Sequence, residues 1–336
     1  MEAQTTAAPM LYALLQDEFD EPRAAGLEIV DLAKKAPVRE LSLGPRNVTS
    51  LAVAPRGRLY VVDVRNTEVA VYDTQGDQTG AVRLASAPRD CVLSHDGTRL
   101  YVSTREALVV VDTAEDRVAA TQPTGADDLQ GIAVSPDDEL VGAAARDDAG
   151  DASLYLFEAA TLKPTRVPIT DREQPGSLEP SDVAFTDTGR AILWDGASDS
   201  FFQVDVTARA QDPAGTARLE RDHGTSVNFN NVVAYSPRSK RAYAQKEREG
   251  TDGSPGVLAV LDVAGAKAHT VGGFAAQPFV LALAPDGRKL YVSSIRRWTG
   301  GGGDLLDEYD VETDSFDRRV YTFQRDDMSV RDMTIL

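Results

Sequence analysis

The chain is poor in the residues that build covalent and metal frameworks. Its 336 residues include one cysteine, Cys91, and three histidines. No internal disulfide can form, and no Cys/His cluster for zinc or iron is on offer. No apolar run approaches the roughly 20 residues that a helix needs to cross a bilayer. The opening MEAQTTAAPM lacks the basic and apolar regions of a signal peptide, so a cytoplasmic protein is expected. Bases are scarce too: 35 Lys and Arg stand against 53 Asp and Glu, a formal charge of −18. Such a surface repels nucleic acid and anionic lipid, which removes both from the expected partners. There is no G-x-S-x-G elbow for a serine nucleophile. The four glycines Gly300–Gly303 lack the G-K-[ST] ending of a phosphate loop.

What the chain does have is a repeat. A turn signature between two β-rich runs reads APRGRLYVVD from Ala54, SHDGTRLYVS from Ser94, SPDDELVGAA from Ser135 and TDTGRAILWD from Thr186. It returns as SPRSKRAYAQ from Ser236 and APDGRKLYVS from Ala284. Pro, Asp and Gly supply the turn chemistry. An acidic residue closes a later strand in each copy: Asp31, Asp73, Asp112, Glu158, Asp205, Asp262 and Asp310, at intervals of 42, 39, 46, 47, 57 and 48. A carboxylate there can accept N–H groups of the next turn. Periods of about 40–50 residues with four strands each define a β-propeller, here with seven blades.

The strand before each turn aligns in columns. One reads Leu51, Cys91, Ile132, Val183, Val233, Leu281, Met333; two places on stand Val53, Leu93, Val134, Phe185, Tyr235, Leu283, Ile335. Between them lie Ala52, Val92, Ala133, Ala184, Ala234, Ala282 and Thr334. A bulky face and a small face on one strand suit the crowded innermost position. The seventh copy ends the chain, and its other three strands are expected near 11–15, 27–30 and 38–43. Residues 328–336 therefore close the ring, and residues 1–336 form a single all-β domain. SHDGTRLYVSTREALVVVDTAEDRVAATQPTG, from Ser94, resembles the repeat of the YVTN family of seven-bladed propellers. That resemblance implies the architecture and leaves the activity open, because propellers host many functions.

The connections after strands two and four of each blade share one face and carry every long insertion, so function is expected there. The inner strands begin on the same face with a polar rim. One rim column reads Thr49, Arg89, Gln130, Ser181, Asn231, Phe279, Arg331, and the next Ser50, Asp90, Gly131, Asp182, Val232, Val280, Asp332. Below it the columns turn apolar. Arg89 and Arg331, with Gln130, Asn230 and Asn231, suit a small ligand; Asp90, Asp182 and Asp332 suit its hydroxyls, amines or protons. The alternative is that the arginines neutralise the aspartates. The three aspartates offer oxygen ligands of the kind Mg²⁺ or Ca²⁺ takes, but the interleaved arginines argue against an ion. No cofactor is expected.

His223, in the loop before Asn231, is the histidine placed for acid–base work. His95, at a turn position held by proline in sibling repeats, and His269, in an outer strand, read as structural. Arg297 and Trp298, just before the glycine run, are candidates for a lid. Lactone-opening propellers carry a histidine in motifs such as GPRH, where this chain has APRD (Ala87–Asp90), which counts against lactone hydrolysis. Streptogramin-type lyases use a funnel-face histidine with a metal, a part that only His223 can take here. The expected function is therefore a monomeric propeller that binds a small molecule or a protein partner on its insertion-rich face. The alternative is a lyase, isomerase or cyclase using the same funnel, with lactone hydrolysis third.

Overall fold

The computed structural model describes residues 9–17, 24–55, 57–125, 128–171, 178–180, 182–219, 233–246, 256–274, 277–295, 304–323 and 328–336. These form seven antiparallel sheets of four strands each, arranged as a seven-bladed propeller. Among the described residues there is no helix. None is therefore long and apolar enough to cross a membrane.

The innermost strands of blades 1 to 7 are Met328–Ile335, Val48–Val53, Pro88–Leu93, Asp128–Val134, Val183–Phe185, Val233–Ser236 and Gln277–Leu283. Blade 1 is composite. Its sheet runs Met328–Ile335, Met10–Asp17, Ala24–Asp31, Ala36–Pro45, so the C-terminal strand pairs with the first strand of the chain. Their register runs from Leu11↔Ile335 to Asp17↔Met328. Met10 and Leu336 exchange N–H···O bonds of 2.9 and 3.0 Å at the end of the pair. Pairing the last strand with the first covers the inner edge of Met10–Asp17.

Apolar side chains are sandwiched between neighbouring blades because each strand presents one face to each neighbour. Leu51 and Val53 join the cluster shared with blade 1, whereas Ala52 faces blade 3. The alternation of bulky and small columns follows from this. A bulky face meets a small one at each seam, which close packing requires where blades converge. Gly142 shows how tight the seam between blades 4 and 5 is: a Cβ there would stand 2.8 Å from Phe185 Cζ.

The acidic residues that close the third strands do cap the following turns. Asp31 Oδ1 accepts the N–H groups of Ala33 and Lys34 at 3.0 and 2.9 Å. Asp73, Asp112, Asp205, Asp262 and Asp310 do the same in their own blades. The turn amides, with Thr313 first, hold the Asp310 carboxyl down at about 2. Glu158 departs from the pattern. Its longer side chain accepts Thr161 Oγ1 and Arg209 instead.

Candidate functional site: the axial channel and its aspartate collar

Three aspartates stand on the inner strands of alternate blades, and each uses its carboxylate in the same way. One oxygen accepts the N–H of the next residue in its own strand, and the other reaches the inner strand of the following blade. Asp332 takes Met333 N at 2.7 Å and Leu51 N at 2.7 Å. Asp90 takes Cys91 N at 2.7 Å and Ile132 N at 2.9 Å. Asp182 takes Val183 N at 2.8 Å and Val233 N at 2.8 Å. The sequence of the inner strands makes this geometry possible. A β-bulge lies at Val48/Ser50, at Pro88/Asp90 and at Leu129/Ile132, which frees an amide from the ladder at each place. Ser50 links two members of the set. Its hydroxyl donates to Asp332 Oδ2 at 3.1 Å and accepts Cys91 N at 3.3 Å.

Arg89 does not neutralise this collar as pairing of neighbours would suggest. Arg89 turns to Asp128 at the start of the next inner strand, at 3.3 and 2.9 Å. Its carbonyl receives Thr49 Oγ1 at 2.7 Å. Gln130 lies beside it, with its carbonyl accepting Ser103 Oγ at 2.5 Å. Arg331 precedes Asp332 on the closing strand and is half-buried. His223, Asn230, Asn231, Arg297 and Trp298 lie outside the described residues, as do Ser181 and Gly300–Gly303.

Half-buried against the inner strands and with like charges nearby, the collar resists ionisation. Burial first, then the Asp90 charge, pushes Asp332 up to about 7. Burial and then Asp90 raise Asp182 well above the carboxylate range, and burial raises Asp90. The Cys91 thiol rises for the same two reasons, burial first and Asp90 second. A carboxyl near 7 can give or take a proton at neutral pH. Among the described residues no three His, Cys, Asp or Glu side chains converge to hold an ion.

Beyond the collar lies an axial channel of about 610 Å³. Its exposed wall is polar and apolar in about equal measure, with Leu51, Ile132, Ala133, Val183 and Phe185 among its members, and it ends at His95, Tyr235 and Leu336. That end belongs to the turns between first and second strands, opposite the insertion-rich face. Two comparable clefts lie at blade seams, of about 640 and 680 Å³. Their arginines are already engaged: Arg58 with Asp116, Arg99 with the Ala159 carbonyl, and Arg209 with Glu158. Sequence reasoning found the collar residues. It missed Ser50 as their bridge, Asp128 as the partner of Arg89, and the second mouth. The departures of His95, Asp138 and Asp187 from the repeat pattern were the available signal for that mouth.

The fold and channel define a seven-bladed β-propeller, and comparison with known proteins agrees at that level. No family model matches the chain, and no curated protein matches it. A solved structure of a Bacteroides fragilis protein proposed to be a 6-phosphogluconolactonase superposes with a TM-score of 0.66 at 13% identity, over 100% of both chains. Hydrazine synthase of Kuenenia stuttgartiensis gives 0.61 at 17% identity, over 82% of this chain and 86% of that one. At such identities the likeness concerns the fold.

Proposed function

We propose that this propeller binds a small molecule in its axial channel, with the aspartate collar as the polar end of the site. The carrying observation is the channel itself, an open space of ligand size lined by both apolar side chains and three carboxylates with raised pKa values. Pockets of about 300–1,000 Å³ with few convergent polar groups are the usual form of small-molecule sites. The collar favours an amine over an anion, because an ammonium supplies both positive charge and N–H donors to carboxylates. The likeness to YVTN repeats fits a scaffold of this kind and belongs to this proposal.

A second reading is an enzyme of the lyase or isomerase type. It is supported by Asp332, whose carboxyl near 7 suits a general acid or base at neutral pH. The test of the first reading uses 4-phenylbutylamine as the probe, followed by calorimetry. Ala133→Phe narrows the channel wall and is expected to abolish binding, with Thr186→Ala outside the channel as control. Equal binding by the wild type and Ala133→Phe would remove the channel from consideration.

A further inference from the structure

The turns around the second mouth repeat one design, and the places where they break it meet each other. The first residues of the signature are Ala54-Pro55, Ser94-His95, Ser135-Pro136, Thr186-Asp187, Ser236-Pro237 and Ala284-Pro285. Histidine replaces proline in blade 3, and aspartate replaces it in blade 5. The signature then needs a residue with positive φ. Glycine fills it at Gly57, Gly97, Gly189 and Gly287, with φ of 80°, 68°, 75° and 69°. Asp138 fills it in blade 4 at 58°, and in blade 6 the positive φ falls one residue later, on Lys240, at 56°. Left-handed backbone resists most side chains, so a non-glycine residue there is worth explaining.

Each exception lies against another across a seam. His95 Nδ1 is 2.8 Å from Asp138 Oδ1, and the His95 backbone N–H also donates to the Asp138 carboxylate at 3.1 and 3.2 Å. Asp187 accepts Tyr235 Oη at 2.6 Å and pairs with Lys240 Nζ. His95 and Tyr235 both line the channel end. A carboxylate at Nδ1 can only accept, so Nδ1 carries a proton, and in the neutral ring the lone pair is then on Nε2. Asp138 thereby fixes the tautomer and orientation of His95 by ring and backbone contacts together.

We infer that His95, positioned by Asp138, is a recognition residue of the channel: Nε2 accepts a hydrogen bond from a hydroxyl at the far end of an amine ligand. This rests on the channel reading above. Asp90 and His95 are five residues apart along the strand Pro88–Leu93 and the turn after it, at most about 16 Å between their Cα atoms at ~3.3 Å per residue. The two side chains and two hydrogen bonds of ~2.8 Å act within that span. The ligand class is an aryl or alkyl amine bearing a terminal hydroxyl at its far end.

The test compares 4-(4-aminobutyl)phenol with 4-phenylbutylamine, which differ by the hydroxyl alone. Calorimetry should show the phenol binding the wild type roughly tenfold more tightly, the size expected of one added hydrogen bond. His95→Pro installs the residue that sibling turns use, so the turn is preserved. It should erase the preference between the two amines. Asp138→Gly, again a sibling residue, should reduce the preference while long-range ¹H–¹⁵N spectra show mixed His95 tautomers. A preference that survives His95→Pro, or its absence from the wild type, overturns the inference while the channel reading stands. If neither amine binds the wild type, both fall together.

Discussion

The collar makes this protein less stable as pH rises through the range where most proteins are indifferent. Asp332 titrates near 3.8 when solvated and at about 7 in the fold. Between those values the folded state holds the proton more firmly than the unfolded state, so stability falls with rising pH and levels off above 7. A shift of about three units, at ~1.36 kcal/mol each, sets an upper bound of about 4 kcal/mol. The channel admits solvent to part of the carboxylate, which lowers the realised figure. Asp90 and Asp182 shift in the same direction. Carboxylates held down by turn amides or hydroxyls act in a separate window. Asp96 and Asp310, each at about 2, lose their contribution only as pH falls below about 4.

Urea denaturation at pH 5, 6, 7 and 8 is the assay, on the wild type and on Asp332→Asn. Asparagine keeps one acceptor oxygen but points an NH₂ group at the second amide. It thus loses one of the 2.7 Å contacts to Leu51 and Met333. That costs about 1–3 kcal/mol at pH 5, where the acid is protonated in the wild type. By pH 8 the wild type bears the ionisation penalty and the asparagine variant does not, so the gap should narrow or reverse. Parallel pH profiles for the two proteins would refute this account of the collar.

Other perturbations test other parts of the frame. Deleting Met328–Leu336 removes the inner strand of blade 1 and the Asp304 contact to Val330 N at 3.0 Å, so calorimetric melting at the wild-type temperature should be lost. Arg46→Ala strips the 2.7 Å partner from the fully buried Asp63; a loss of about 3–5 kcal/mol is expected in urea melts. Gly142→Ala drives a methyl into Phe185 and should cost about 1–3 kcal/mol by the same assay. Cys91, buried with a raised thiol, should resist Ellman's reagent at pH 8 until the protein is unfolded.

The fold was legible because repetition averages out local ambiguity. No single run such as LYVVD specifies a propeller, but seven turns and seven closing carboxylates at similar spacing do. Even the composite first blade could be read, since a lone inner strand at one terminus and three strands at the other fit only each other. The site was legible in part. Asp90, Asp182 and Asp332 stood out as charges in a column that turns apolar below, but their partners were hidden. Each binds a backbone amide of the next blade, and a backbone amide leaves no trace in composition. The Arg89–Asp128 pair was missed for a related reason. The two residues belong to successive inner strands offset by one blade, while alignment compares the same position in every blade. His95 was set aside as a turn residue because its replacement of proline was weighed alone. Its meaning depends on Asp138, a second exception 43 residues away.

Seven is odd, and the collar links come in twos. Asp332 joins blades 1 and 2, Asp90 joins 3 and 4, and Asp182 joins 5 and 6. His95–Asp138 and Asp187–Tyr235 fasten the second and third of these pairs again at their other ends. Blade 7 has Val280 at the collar position and is left out of the count. At the collar the wheel is thus three coupled pairs and one single spoke, and that spoke is held by apolar contact with both neighbours and by ties of its own, Asp304 to Val330 N and Glu312 to Arg238, each at 3.0 Å. Blade 7 is therefore tied into the ring without a collar carboxylate.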